Sequence, residues 1–448
     1  MIVLKFGGTS VQNAQMMDRA LDITFKRLSD APILVASAMS KITDSLIKLS
    51  AAAVDGDGET AFSLLDEIMK RHFQVAREFL SGTNLDQANE RLEMYRQELS
   101  SLVKGISLLK ECSKRSLDTI MAFGELLSTT LLAYRARERG VQTDLVDSRL
   151  FMRTDDNFSS AYPQMKEIRK LARKHLKPLP GKLIVCQGFI GSTADGVTTT
   201  LGRGGSDYTA TLIGAAIGAS SVEIWTDVDG IMTTDPRVIP GARSIPEISY
   251  QEAAELAYFG AKVVHPSSIQ PAIDQRIPVW VKNTHNPDHP GTVILSDVES
   301  SGLRAIAAKK SITLINVVSS RMLNAYGFLS KIFSIFEKYR TPVDLIATSE
   351  VSVTMSVDNT TRLKEILQEL QSYGEVGVKR NRAIICLVGR GIWEDGEWFV
   401  RAFSALRSIP VKLISYGGSH INLSLVVDEE NWQEAVRLLH QEFFEVTG

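Results

Sequence analysis

Short apolar runs separated by helical stretches fill roughly the first 290 positions of the chain. Residues 2–5, 33–37, 183–187, 222–225 and 279–281 each read as a buried strand. Their alternation with helical segments predicts an α/β domain built on a mainly parallel sheet. Residues 60–111 break that rhythm. Leu65, Ile68, Met69, Phe73, Ala76 and Leu80 recur at helical spacing, as do Leu92, Tyr95, Leu99, Leu102 and Ile106. These two stripes predict a helical hairpin packed through its apolar faces, with Gly82-Thr83-Asn84 as its turn.

Residues 283–302 are rich in Pro, Gly, Asn, Asp and Ser and predict a domain boundary. Beyond them the chain repeats itself loosely. Lys331-Ile332-Phe333-Ser334 through Pro342-Val343-Asp344-Leu345-Ile346 parallels Arg401-Ala402-Phe403-Ser404 through Pro410-Val411-Lys412-Leu413-Ile414. Each copy runs on into alternating strand sequence, at 351–358 and 421–428, and then into an amphipathic helix. Two copies of a βαββαβ order predict paired ferredoxin-like modules rather than a solenoid.

Composition narrows the function classes. The 448 residues suffice for two to four domains, and 44% apolar with 23% charged residues is ordinary for a soluble globular protein. A net charge of −2 without a basic stripe argues against a nucleic-acid partner. No apolar run reaches the length of a membrane span. Cys112, Cys186 and Cys386 are far apart, and the last two lie in apolar runs, so buried reduced thiols are expected. The strand-like start leaves no expected signal or transit peptide, which points to a cytoplasmic protein.

Five constellations carry candidate chemistry. Lys5-Phe6-Gly7-Gly8-Thr9-Ser10 follows the first apolar run, and Gly202-Arg203-Gly204-Gly205-Ser206-Asp207 precedes the alanine-rich stretch 208–219. Both read as glycine-rich loops feeding a helix N-terminus, where free N–H groups and the helix dipole favour an anion. Ser206 or Asp207 suits the cap of the second helix. Trp225-Thr226-Asp227-Val228-Asp229-Gly230, running on to Asp235-Pro236-Arg237, puts polar groups at a strand's C-terminal edge, where open α/β sheets bind ligands. Phe259-Gly260-Ala261-Lys262 sets a single cation beside glycine. His265, with no partner at ligand spacing, reads as a packed or capping residue, and no metal site is expected. Ala122-Phe123-Gly124-Glu125 holds a carboxylate in an apolar helix, suited to a substrate ammonium. No Walker A loop or protein-kinase catalytic loop is present. The set describes a small-molecule kinase.

On these motifs, together with Gln187-Gly188-Phe189-Ile190-Gly191 and the block from Thr198 to Ala210, the chain resembles the aspartokinases of the amino acid kinase family. The resemblance implies an αβα sandwich of the carbamate-kinase type over residues 1–290. It also implies ATP-dependent phosphorylation of the side-chain carboxylate of L-aspartate with Mg²⁺, the entry to lysine, threonine and methionine synthesis. By motif position Lys5 would stabilise the travelling phosphoryl group and Arg203 would fork onto the α-carboxylate. Glu125 would take the α-ammonium, and Ser37, Thr43, Phe189, Ser206 and Asp207 would complete the pocket. Lys5, Arg203 and Asp207 would be the catalytic residues. Gly7, Gly8, Ser10, Thr226, Asp227, Met232, Arg237 and Lys262 would hold the nucleotide with Lys5. Met232 stands where relatives often carry tyrosine, and Lys41 where some carry glycine.

The tail resembles a tandem pair of ACT modules, 303–378 and 379–448, and the resemblance allows a strand near 303–308 to belong with the second module. Met322, Gly327, Phe328, Leu329, Val343, Asp344, Thr348, Ser349 and Glu350 match the lysine-binding segment of lysine-inhibited aspartokinases, which implies L-lysine as effector. Pairing of such modules implies a homodimer or a dimer of dimers. The chain ends too soon for a fused homoserine dehydrogenase. Two other readings stay open at this point: a kinase of the glutamate or acetylglutamate type, and a catalytically silent amino-acid sensor.

Overall fold

The five apolar runs sit side by side at the centre of one sheet. The computed structural model describes residues 1–260, 263–299, 301–323, 326–392 and 396–445. In its first unit (Met1–Ile231, Pro246–Tyr250 and Val263–Val298) the strands are β1 (Ile2–Phe6), β2 (Pro32–Ala36), β3 (Gln142–Val146) and β4 (Lys182–Gln187). The short β5 (Ile190–Ser192) and β6 (Thr198–Thr200) form a separate hairpin. Then come β7 (Ser221–Thr226), β8 (Glu247–Ser249), β9 (Val279–Asn283) and β10 (Thr292–Leu295). The spatial order is β3-β4-β2-β1-β7-β9-β10-β8, and β10 runs antiparallel to β9 while the other pairs are parallel. Every residue of β1 and β2 is buried, which is why these strands read as continuous apolar runs rather than alternating ones. β10 falls inside the Pro- and Gly-rich segment read as a boundary. That segment contributes a strand to the first sheet.

Helices α1 (Ala14–Phe25), α2 (Ile42–Val54), α3 (Gly58–Phe79), α4 (Gly82–Leu109) and α5 (Lys114–Glu138) build the bulk beside the sheet. The two stripes of 60–111 do pack as a hairpin: Leu65, Ile68, Leu92 and Leu99 share one buried cluster with Leu46, Leu127 and Leu131. Its turn lies at Leu80-Ser81 instead of Gly82-Thr83-Asn84, which form the first turn of α4. The α3 stripe ends at Leu80, so burial of its last side chain sets the turn one step earlier than the turn-forming residues suggest. The unit is completed by α6 (Met165–His175) and α7 (Gly205–Ile217). After them α8 (Tyr250–Tyr258) begins at the end of Pro246–Tyr250, and α9 (Pro266–Asp274) follows.

The second unit holds Met232–Ile245, residues 251–260 and the chain from Glu299 onward. Its strands are β11 (Gly302–Val318), β12 (Ile346–Thr348), β13 (Ser352–Val357), β14 (Glu375–Arg390), β15 (Leu413–Ser415) and β16 (Asn422–Asp428), in the antiparallel order β12-β13-β11-β14-β16-β15. Helices α10 (Phe328–Lys338), α11 (Leu363–Leu370), α12 (Glu397–Ala405) and α13 (Trp432–His440) pack against it. The two copies of the repeat are therefore halves of one sheet, joined by the long strands β11 and β14. Register shifts between Lys309 and Leu314 mark the passage from one half to the other. Each half keeps its own core: Ile315, Ile332, Phe336, Val353 and Ile366 in one, Ile306, Ile385, Leu425, Val436 and Leu439 in the other. Thus the start of β11 pairs with the end of β14 and packs with the later copy. Among the described residues no helix is long and apolar enough to cross a membrane.

Close pairing of β11 and β14 depends on one small residue. A Cβ at Gly389 would lie 2.2 Å from the Gly302 carbonyl oxygen and 2.7 Å from Leu303 Cα. Gly389→Ala is expected to lower stability by about 1–3 kcal/mol through forced strand separation. Urea unfolding checks this, and an unchanged midpoint would show that the ladder relaxes freely.

Candidate active site

The C-terminal ends of β1, β2, β4 and β7 bring the glycine-rich loops together. Lys5, on β1, is buried, and its Nζ lies 2.7 Å from Asp207 Oδ1, an ion pair that lacks hydrogen-bond alignment. Gly7 N donates to the Trp225 carbonyl at 3.2 Å, and Ser40 N donates to the Gly8 carbonyl at 3.1 Å. A Cβ at Gly8 would lie 3.0 Å from the Ala38 carbonyl oxygen, so a side chain there would push two strand ends apart. The loop does not feed an α-helix directly. It enters the four-residue 3-10 turn Gly8–Val11, where Ser10 Oγ and Thr284 Oγ1 share a hydrogen bond of 2.7 Å, and α1 starts only at Ala14 under an Asn13 cap. At this loop the local cation is Lys5, and a helix dipole is not available.

The second loop does open a helix. Gly204, left-handed at φ 69°, is the N-cap of α7, and no side chain caps it. Ser206 and Asp207 lie inside the first turn instead, which places Asp207 against Lys5. Gly188 makes room for this turn: a Cβ there would stand 2.6 Å from Ser206 Cβ. Gly205 does the same for Phe189, whose φ of 66° is held by its N–H donating to Thr209 Oγ1 at 2.9 Å. Arg203 is exposed and forms no ion pair among the described residues.

Glu125 comes to the same region from α5 and is 3% exposed. Gly124 lets the helix approach, since a Cβ there would lie 2.7 Å from Ala38 Cβ. Ala38 N donates to Glu125 Oε1 at 3.0 Å, while Oε2 has no partner. Burial pushes the Glu125 carboxyl up to about 8, opposed in part by the Ala38 hydrogen bond. A buried carboxylate with one unbonded oxygen calls for a cation, and among the described residues no protein cation pairs with it. The neighbouring Ser37 and Thr43 are half-buried. Between them Lys41 adopts φ 69°, the conformation that a glycine takes without strain.

The remaining candidates scatter. Thr226 and Asp227 stand at the end of β7, with Thr226 Oγ1 donating to Asp227 Oδ1 at 3.2 Å. Met232 and Arg237 belong to the second unit, where Arg237 clamps Asp235 through paired hydrogen bonds and points outward. Lys262 lies outside the described residues. His265 is the N-cap residue of α9 and is exposed; its carbonyl accepts from Ser268 N at 3.0 Å, while its side chain makes no cap. Cys186 and Cys386 are buried, and burial raises both thiols.

In the second unit Gly327, left-handed at φ 75°, precedes Phe328 and Leu329 at the N-terminus of α10. The Phe328 ring is in the core, where Met322 and Val343 pack against it, so only its backbone is free to meet a ligand. Thr348, Ser349 and Glu350 are exposed, and Ser349 Oγ shares a hydrogen bond with Ser352 Oγ at 2.7 Å. Asp344 is not waiting empty. Its Oδ1 accepts from Lys309 Nζ at 2.8 Å and from Tyr258 OH at 2.6 Å, while Oδ2 has no partner. Lys309 also reaches Asp358 at 2.9 Å. Neither Lys309 nor Tyr258 carries a local sequence signal, because they meet Asp344 only through sheet and helix packing.

Comparison with known proteins agrees with this layout. Residues 1–283 match the amino acid kinase family and residues 385–443 an ACT domain. Lysine-sensitive aspartokinase 3 of Escherichia coli is 39% identical over 99% of both chains. Chloroplastic aspartokinase 2 of Arabidopsis thaliana is 36% identical over 99% of this chain and 84% of that protein. Crystal structures of E. coli aspartokinase III superpose with TM-scores of 0.84, in complex with lysine and aspartate, and 0.82, in complex with aspartate and ADP. Those two cover 99% of this chain, at 37% and 38% identity.

The titration of Glu125 is open to measurement. Its folded value lies above the ordinary 4.5, so its contribution to stability is present below that value and is lost as the pH rises through about 8. For the unliganded protein, Glu125→Gln is expected to melt higher than wild type by a margin that opens from pH 5 to pH 8 and then levels. A margin independent of pH would mean that the carboxylate is not held in an unfavourable site.

Proposed function

Because the chain belongs to the amino acid kinase family and its full-length relatives are aspartokinases, we infer that it transfers the ATP γ-phosphoryl group to the side-chain carboxylate of L-aspartate. The products are 4-phospho-L-aspartate and ADP, at the entry to lysine, threonine and methionine synthesis. The observation that carries this reading is the unpartnered Glu125 oxygen, buried beside a lysine-bearing glycine loop. A glutamate-type kinase or a silent sensor has no support among relatives matched over the whole chain.

The proposed roles follow from charge. Glu125 takes the α-ammonium, which restores the carboxylate to its ionised form, and Arg203 forks onto the α-carboxylate. Ser37, Thr43, Phe189, Ser206 and Asp207 enclose the rest of the amino acid. The attacking carboxylate is already an anion, so no general base is required and the barrier is repulsion between anions. Lys5 lowers it by following the phosphoryl group, and Asp207 holds Lys5 in place until nucleotide arrives. Gly7, Gly8, Ser10, Thr226, Asp227, Met232, Arg237 and Lys262 are the proposed nucleotide contacts. Mg²⁺ is proposed to arrive on the ATP phosphates, where it would offset their charge.

Catalysis is assigned to residues 1–290 and regulation to 303–378 and 379–448, with L-lysine as the effector, a homodimer or dimer of dimers as the working assembly and the cytoplasm as its place. Support for lysine comes from the chemistry of its proposed site: an α10 N-terminus for the carboxylate, and Asp344 and Glu350 for the two ammonium groups. The relative named for lysine sensitivity, and the lysine-bound and ADP-bound forms of E. coli aspartokinase III, point the same way. An arriving ammonium displaces Lys309 from Asp344, so inhibition draws on the difference between the two pairings.

Lys5→Ala is expected to cut kcat by about 10²–10³ in an aspartate-dependent ADP-release assay, with the fold intact. Near-normal turnover would remove Lys5 from the mechanism. Millimolar lysine is expected to suppress wild-type turnover, and Asp344→Asn to raise the lysine needed at least about thirtyfold. Turnover indifferent to lysine in the wild type would end the effector assignment and leave the kinase standing.

A further inference from the structure

Asp118 lies two turns before Glu125 on α5 and is completely buried. Its carboxylate accepts from Ser159 N at 2.9 Å, Thr200 N at 2.9 Å and Thr200 Oγ1 at 2.9 Å. No cation pairs with it among the described residues. Burial raises its carboxyl, and the hydrogen bonds from Ser159 and Thr200 draw it back down. An uncompensated buried charge is costly, and the three donors it gathers have no acceptor to replace it.

What those donors belong to is informative. Thr200 ends β6, and the chain then enters Leu201-Gly202-Arg203. Thr200 is tied on two further sides, by its pairing with Ile190 and by Ala161 N donating to its carbonyl at 2.9 Å. Ser159, left-handed at φ 73°, backs the turn: its carbonyl oxygen lies 3.2 Å from where a Cβ at Gly202 would stand. Asp118 thus bolts to α5 both the end of β6, which leads into the Arg203 turn, and the Ser159 loop that backs it. The same helix, roughly 10 Å further along its axis, presents Glu125.

We propose that Asp118 is a positioning residue for the aspartate site, setting the Arg203 turn relative to Glu125 so that the α-carboxylate and α-ammonium subsites are gauged from one helix. This rests on the roles given above to Arg203 and Glu125. An amino acid gripped at both groups on its α-carbon keeps only the two torsions of its side chain, and a slack Arg203 turn would add a freedom of the whole molecule. Asparagine at 118 would turn an N–H₂ towards the Ser159 or Thr200 donors and loosen the turn without changing the volume of the side chain.

Steady-state kinetics of the full-length enzyme test this. Asp118→Asn is expected to raise KM for aspartate about tenfold or more, with kcat within about threefold and KM for ATP unchanged. Thr200→Val, which removes only the hydroxyl donor, should shift KM for aspartate the same way by less, and it decides the matter if Asp118→Asn does not fold by circular dichroism. In an Arg203→Ala background the Asp118→Asn change should cost less than about twofold further in kcat/KM, because the bolt has nothing left to position. An equal loss in both backgrounds, or a rise in KM for ATP matching that for aspartate, would make Asp118 a structural residue only and overturn the proposal. Arg203→Ala with normal KM for aspartate would instead sink the Arg203 role and this inference with it.

Discussion

The first unit is organised around a carboxylate that the protein itself does not neutralise. Glu125 is enclosed by α5 and the end of β2, holds one N–H bond from Ala38, and leaves its second oxygen bare. Folding around such a group is unfavourable, and the cost is borne by the packed cluster of α2 to α5 that surrounds it. The helical hairpin of α3 and α4 then has a role beyond bulk. It supplies apolar contacts that keep α5 pressed against the sheet, with Gly124 permitting the closest approach.

The cations are treated differently. Lys5 is paired with Asp207 across two loops that are far apart in the chain, so it is held ready without being neutralised by hydrogen bonding. Arg203 is left exposed within a glycine turn, where a guanidinium stays hydrated. The second unit uses the opposite device. There Asp344 is already satisfied on one oxygen by Lys309 and Tyr258.

Where expectation and structure part, local signals were outweighed by packing. Gly82-Thr83-Asn84 looked like a turn but extends α4, because the register of two apolar stripes set the chain reversal at Leu80-Ser81. Ser206 and Asp207 looked like helix caps, yet Gly204 takes that place, since its left-handed backbone tightens the turn and swings Asp207 inward to Lys5. The polar segment 283–302 read as a boundary, and the two units do divide within it, between Val298 and Glu299, but β9 offers a free edge and residues 292–295 pair with it before the division.

The order of apolar runs, charges and glycines along the chain determined a great deal alone: the mainly parallel sheet, the two glycine-rich loops, the doubled tail and the family to which the chain belongs. Apolar runs and glycines act locally, through burial and backbone freedom, so their meaning survives without coordinates. Only the tertiary structure decided which charges meet. Lys5 with Asp207, Asp118 with Thr200 and Ser159, and Asp344 with Lys309 and Tyr258 join positions distant in sequence. Whether a carboxylate ends paired, bonded or bare depends on the few ångströms set by helix and strand packing, and no local pattern encodes that distance.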